Sequence, residues 1–143
     1  LPCAPGVVQP KFPADAALGL TATHRSTSNF MAPTLWQRLA DTRVRRPRCV
    51  SSLRARLLGA TPFPQTLKER AEAAFGQVLW EFYGATETGI NTVLRPEDQL
   101  RKPGSCGTVV PGQEIRLVSA DGTEVAEGEP GELMMRNSWL AEY

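Results

Sequence analysis

A chain of 143 residues, 41% hydrophobic and 22% charged, has the make-up of a soluble globular domain able to bury a core. Its formal net charge of +1 supplies no bulk attraction to nucleic acid or to an anionic membrane surface. No apolar run approaches the ~20 residues that a membrane span needs, so stable membrane insertion is not expected.

The first half alternates strand and helix. Residues 6–8 read as a short strand. A helix is predicted over 13–23, with Ala16, Ala17 and Leu20 on one face and Gly19 weakening it. Residues 29–32 read as the next strand. Pro33 then opens a helix at the position where proline is tolerated, with Leu35, Trp36, Leu39 and Ala40 as its apolar side. Residues 55–60 form another strand candidate. The clearest helix starts at Pro64, carries Leu67, Ala71, Ala74 and Phe75 at helical spacing, and stops at Gly76. Residues 78–82 follow as a strand that is apolar apart from Glu81. Strands separated by single helices predict parallel βαβ units, hence an α/β fold.

The second half changes character near residue 102. Pro103-Gly104, Pro111-Gly112, Asp121-Gly122 and Pro130-Gly131 are turn signals. The runs 114–118 and 132–136 between them look like antiparallel strands of a small sheet or barrel. The expected division is therefore an α/β part over 1–102 and a β-rich part over 103–143, packed together without a low-complexity linker.

Trp80-Glu81-Phe82-Tyr83-Gly84-Ala85-Thr86-Glu87-Thr88-Gly89 is the segment richest in chemistry. A strand runs into a tight turn at the carboxyl end, where open α/β sheets bind ligands. Gly84 lets backbone approach a ligand because it has no Cβ. Tyr83 offers a flat ring, Thr86 a hydroxyl and Glu87 a carboxylate. A carboxylate beside phosphate is repulsive unless a cation lies between, which points to Mg²⁺. Each residue also has a plainer reading: Glu87 a solvated turn carboxylate, Thr86 a turn cap, Tyr83 a core aromatic. Gly59-Ala60-Thr61-Pro62 ends another strand, and its small residues would admit a flat base; an ordinary strand-to-helix turn is the alternative.

Other features read as structural. His24, the single histidine, closes a helix, where it suits the dipole. Arg43, Arg45, Arg46, Arg48, Arg54 and Arg56 form a basic cluster that reads as a solvated loop rather than an anion site, since no aromatics interleave it. Phosphate loops of the Walker or dinucleotide type, serine elbows and zinc motifs are absent. Cys3, Cys49 and Cys106 are odd in number and widely spaced, and are expected to be reduced thiols of a cytoplasmic protein. Leu1 in place of Met, and a final Tyr143 close behind a predicted strand, read as cuts through a longer protein.

Tyr83-Gly84-Ala85-Thr86-Glu87 resembles the signature of AMP-forming acyl-CoA synthetases, in the adenylate-forming superfamily with firefly luciferase and peptide-synthetase adenylation domains. Phe30-Met31-Ala32-Pro33-Thr34, Ser51-Ser52-Leu53-Arg54 with Leu57-Leu58-Gly59-Ala60-Thr61-Pro62, Lys102-Pro103-Gly104-Ser105-Cys106-Gly107 and Gly128-Glu129-Pro130-Gly131-Glu132-Leu133 look like further family segments. They occur in the family's order, and Tyr143 falls where the family often has a tyrosine. The resemblance implies the central part of the family's N-terminal domain: βαβ units followed by part of a small antiparallel β-barrel-like subdomain.

What the resemblance implies chemically is a two-step ligation. A carboxylic acid, fatty or aromatic, attacks the α-phosphate of ATP to give an acyl-adenylate and pyrophosphate. The thiol of CoA then displaces AMP. Tyr83 would stack on adenine, with Gly59, Ala60 and Thr61 beside the base. Gly84 and Ala85 would line the acyl and adenylate channel. Thr86 would bond the α-phosphate and Glu87 would hold Mg²⁺. Positioning and charge neutralisation govern such a reaction, which matches the lack of an acid–base pair. The family's triphosphate-binding loop would lie before Leu1. Its ribose-binding aspartate and its mobile C-terminal domain with the catalytic lysine would lie beyond Tyr143. Departures stand at Cys106, at residues 43–50, and at Gly19 and Thr21. An inactive truncated chain, a luciferase-like enzyme and a peptide-synthetase adenylation domain remain alternative readings.

Overall fold

Periodicity sets most of the elements. The computed structural model describes residues 5–59 and 61–140. Three helices, α1 (Ala14–Thr23), α2 (Pro33–Arg45) and α3 (Gln65–Phe75), alternate with β1 (Ser28–Phe30), β2 (Ala55–Leu58) and β3 (Leu79–Ala85). Then come β4 (Gly89–Leu94), a 3₁₀ turn at Pro96–Asp98, β5 (Thr108–Val109), β6 (Glu114–Val118) and β7 (Glu132–Arg136). Pro33 occupies the first turn of α2, where its missing N–H costs nothing. Gly76 ends α3 at φ +78°, a left-handed conformation that glycine adopts without a Cβ clash.

The large sheet runs in the order β1-β2-β3-β4-β5. Its first three strands are parallel, with Phe30 beside Leu57 and Leu57 beside Trp80. β4 then returns antiparallel to β3, and β5 pairs antiparallel with β4. β6 and β7 form a separate antiparallel pair, with Ile115 opposite Met135. The fold is thus α/β, built on parallel βαβ units and followed by a small antiparallel sheet.

The core lies between the helices and the sheet. Leu18 of α1, Trp36 and Leu39 of α2, Leu67 and Ala71 of α3, Leu58 of β2 and Leu79 of β3 belong to one buried cluster. These side chains follow helical spacing on the helices and the two-residue period on the strands.

Several expectations need correction. Residues 6–8 form no strand; Val7 and Val8 are exposed, and no strand among the described residues pairs with them. In α1 the inward side is Ala17, Leu18 and Thr21 rather than Ala16 and Leu20, because Ala16 faces solvent. β3 continues through Tyr83, Gly84 and Ala85, since β4 supplies the hydrogen-bonding partner that the sequence reading omitted. β2 ends at Leu58, and Ala60 lies outside the described residues. The largest departure is Arg56. It was grouped with a solvated basic loop, yet it is 0% exposed. The two-residue period of β2 puts Arg56 on the same inward side as Leu58.

Candidate functional site

At the carboxyl edge of the parallel strands, β2 and β3 end side by side, with Leu58 paired to Glu81. A cavity of about 340 Å³ opens there. Thr61, Pro62 and Phe63 supply one wall after β2, and Phe82, Tyr83 and Gly84 of β3 supply the second. Gly104, Ser105 and Cys106 close it from the segment that precedes β5. Tyr83 is 44% exposed, so its ring is available to a flat ligand.

Two charged side chains also line this cavity. Lys68 Nζ donates to Glu81 Oε2 at 2.5 Å, with side-chain exposures of 3% and 14%. The sequence reading missed this pair. Its signal was Glu81 itself, a lone charge in an apolar strand, which needs a buried partner. Lys68 gave less warning, because it follows Leu67 directly and lies outside the apolar spacing of α3.

Gly84 lies where β3 shifts register against β4, between Tyr83 and Gly84. A Cβ there would strike the carbonyl of Gly89 across the hairpin. Backbone cannot retreat as a flexible side chain can. Gly84→Ala should therefore lower the unfolding free energy by about 1–3 kcal/mol. A fall in the urea midpoint at unchanged slope is the readout; an unaltered midpoint would show that the hairpin yields freely. Gly59 also meets a packing demand. It is buried, and a Cβ on it would strike the Phe82 ring, which stacks on Phe30 at 5.8 Å between centroids.

The turn after β3 carries Thr86 and Glu87, both exposed. Among the described residues, no side-chain hydrogen bond or ion pair ties either one to the protein. Neither they nor Gly59 and Ala85 belong to the cavity wall, whereas Thr61, Tyr83 and Gly84 do. No group of three or more His, Cys, Asp or Glu side chains stands together among the described residues. Glu87 thus presents a single open carboxylate. That fits Mg²⁺, which is held by one or two protein carboxylates and completes its shell with water and substrate phosphate.

The remaining candidates separate. His24 caps α1, its backbone N–H donating to Leu20 O at 2.9 Å. Arg43 Nε donates to Ala74 O at 2.6 Å, and Arg46 and Arg48 reach Asp15 at 3.4 and 3.5 Å on the surface. Cys49 and Cys106 are free thiols, and Cys3 lies outside the described residues. No helix among the described residues is long and apolar enough to cross a membrane.

Known proteins share this fold. The chain is 34% identical over 135 residues to an indoleacetate–CoA ligase of Aromatoleum aromaticum, covering 91% of this chain and 26% of that one. The amide bond synthetase McbA from Marinactinospora thermotolerans superposes with a TM-score of 0.85 at 26% identity, over 91% of this chain and 27% of its own. An anthranilate CoA ligase, AuaEII, solved in complex with anthranoyl-AMP, superposes with a TM-score of 0.77 at 28% identity, over 90% of this chain and 25% of its own. The chain spans about a quarter of the length of these relatives. The AMP-binding enzyme family matches residues 3–143, and the chain belongs to that family.

Proposed function

We propose that this chain is the central part of an ATP-dependent acid–thiol ligase that activates a small carboxylic acid, fatty or aromatic, as acyl-AMP and passes it to CoA. The observation that carries the reading is the cavity at the carboxyl ends of β2 and β3, walled by Thr61, Tyr83 and Gly84 and followed by a turn with open hydroxyl and carboxylate groups. Membership of the AMP-binding enzymes narrows the ligand to an adenylate.

In this reading Tyr83 stacks on adenine, while Gly59, Ala60 and Thr61 form the opposite border of the base site. Gly84 and Ala85 let the acyl-adenylate pass close to backbone. Thr86 donates its hydroxyl proton to an α-phosphate oxygen, and Glu87 holds Mg²⁺. Held by Glu87, the ion would supply neutralisation of phosphate charge, and the chain's own residues orient the nucleotide for in-line attack by the carboxylate. The triphosphate loop, the ribose-binding aspartate and the catalytic lysine belong to the rest of the complete ligase. The free thiols of Cys49 and Cys106 support a reducing, cytoplasmic setting.

Acid-dependent exchange of pyrophosphate into ATP by the full-length ligase tests the assignment. Glu87→Gln should reduce the exchange at least 30-fold, roughly the 2 kcal/mol that one electrostatic contact to the transition state is worth. An unchanged rate would remove Glu87 from the metal site. A second reading, that the 143-residue chain alone is inactive, is favoured by its covering only 26% of a ligase relative. Turnover by the purified chain would refute it.

A further inference from the structure

Thr88, the last residue of the turn that carries Thr86 and Glu87, is gripped by three amide side chains from distant parts of the chain. Gln113 Nε2 donates to Thr88 O at 2.9 Å and to Ile90 O at 3.0 Å. Asn137 Nδ2 donates to the same Thr88 carbonyl at 3.0 Å and to Gln113 Oε1 at 2.9 Å. Asn91 Nδ2 reaches the Thr88 hydroxyl at 2.9 Å. Asn137 Oδ1 in turn accepts from the Trp139 backbone N–H at 2.8 Å. The Trp139 indole covers Gly89 and Gly112, so close that a Cβ on either glycine would meet the ring at 2.9 Å.

Asn91 and Gln113 are buried, and buried amides are expensive unless their hydrogen bonds are met. Gln113 spends both of its amide N–H bonds on the backbone carbonyls of Thr88 and Ile90, and Asn91 spends one on the Thr88 hydroxyl, all at the foot of one turn. The turn's own backbone bond, Thr88 N to Ala85 O, is a long 3.3 Å, and the amide grip adds to what the β3–β4 ladder supplies on either side of it. Gln113 precedes β6 and Asn137 follows β7, so the small sheet holds the turn of the large one.

We propose that Gln113 and Asn137 are positioning residues for the Thr86–Glu87 turn, fixing the two side chains at the spacing that the α-phosphate and its cation require. The functional half of this inference rests on the ligase reading above; the mechanical half does not. A docking role alone, joining the two sheets, would use the same bonds but would leave ligand affinity untouched.

Two measurements separate these cases. The first is amide hydrogen exchange of the 143-residue chain, comparing Gln113→Met and Asn137→Ala with the parent sequence. Exchange at residues 88–90 should quicken at least tenfold, while the amides of α2 and α3 keep their protection. Unchanged exchange at 88–90 in a folded variant overturns the proposal. Asn137→Ala, at the more solvated end of the network, provides the reading if Gln113→Met does not fold. The second is steady-state pyrophosphate exchange by the full-length ligase carrying Asn137→Ala. The KM for Mg–ATP should rise at least fivefold, with the KM for the carboxylic acid unchanged. A smaller folded fraction lowers the rate but moves neither KM, so two unaltered KM values also overturn the positioning role. Absence of any exchange in the unsubstituted ligase would instead defeat the ligase reading, and leave the hydrogen-exchange result standing.

Discussion

Replacing Arg56 by leucine should make the protein more stable, by about 1–4 kcal/mol, the range seen when buried ionic groups give way to apolar ones of similar volume. Arg56 is fully buried, and its Nε, Nη1 and Nη2 have no hydrogen-bond partner among the described residues. Its guanidinium lies 3.7 Å from the Phe75 ring centre and 4.4 Å from that of Trp36. Such stacking returns about 2 kcal/mol when desolvated. Removing the ion from water costs several kcal/mol, and each unmet N–H adds to that. The balance is unfavourable, and leucine would extend the apolar cluster beside Leu58. The unfolding free energy from urea titration decides the matter. A loss of stability in Arg56→Leu would mean that the stacked guanidinium holds the core together.

The same residue gives a pH signature. Burial first, and repulsion from Arg43 second, push the Arg56 guanidinium down from its ordinary, always-protonated range to about 9. A base whose affinity for protons is lower in the folded state favours unfolding wherever both states are protonated, here below pH 9. Above about 9 the folded chain sheds the proton while the unfolded chain, with its ordinary guanidinium, keeps it. The unfolded state then binds more protons, so this residue's contribution to stability rises with pH. The difference between the unmodified chain and Arg56→Leu should therefore shrink as pH climbs through 9. A difference that stays constant to pH 11 would contradict the assigned shift.

The opposite result is expected at the other buried cation. Glu81→Gln should destabilise the protein by about 3–5 kcal/mol, because it strands the Lys68 ammonium without its counter-charge. The pair is short, 2.5 Å, and Lys68 is 3% exposed. Water cannot replace the carboxylate in full at that depth. The double variant Lys68→Met/Glu81→Gln should recover most of the loss, since no charge is then left behind. Equal losses in the single and the double variant would show that the two side chains contribute through packing alone. Removing Arg56 and removing Glu81 thus act with opposite sign for one reason: a buried charge is tolerated only with its partner.

These two cations also show where sequence reading reaches its limit. Helix starts at Pro33 and after Pro64, and the stop at Gly76, depend on local backbone geometry and were legible directly. The parallel arrangement followed from the alternation of strand and helix. The cluster Tyr83, Gly84, Thr86 and Glu87 at the end of β3 was legible because these residues are adjacent in the chain, and Tyr83 and Gly84 line the cavity there. Arg56 was misjudged because five of its apparent companions lie in loops or on a helix surface, and only strand period reveals that it points inward.

Local sequence by itself determined the three helices, the parallel βαβ order and the residues of the turn, while residues 6–8 and β4 escaped it, since propensity, capping and periodicity act over a few neighbouring positions. Only the tertiary structure decided which of those residues share a cavity, that Lys68 of α3 meets Glu81 of β3, and that Gln113 and Asn137 converge on Thr88. Those contacts join positions up to 49 residues apart. They arise from how the sheets and helices pack, and side-chain direction after packing leaves no trace in short-range pattern.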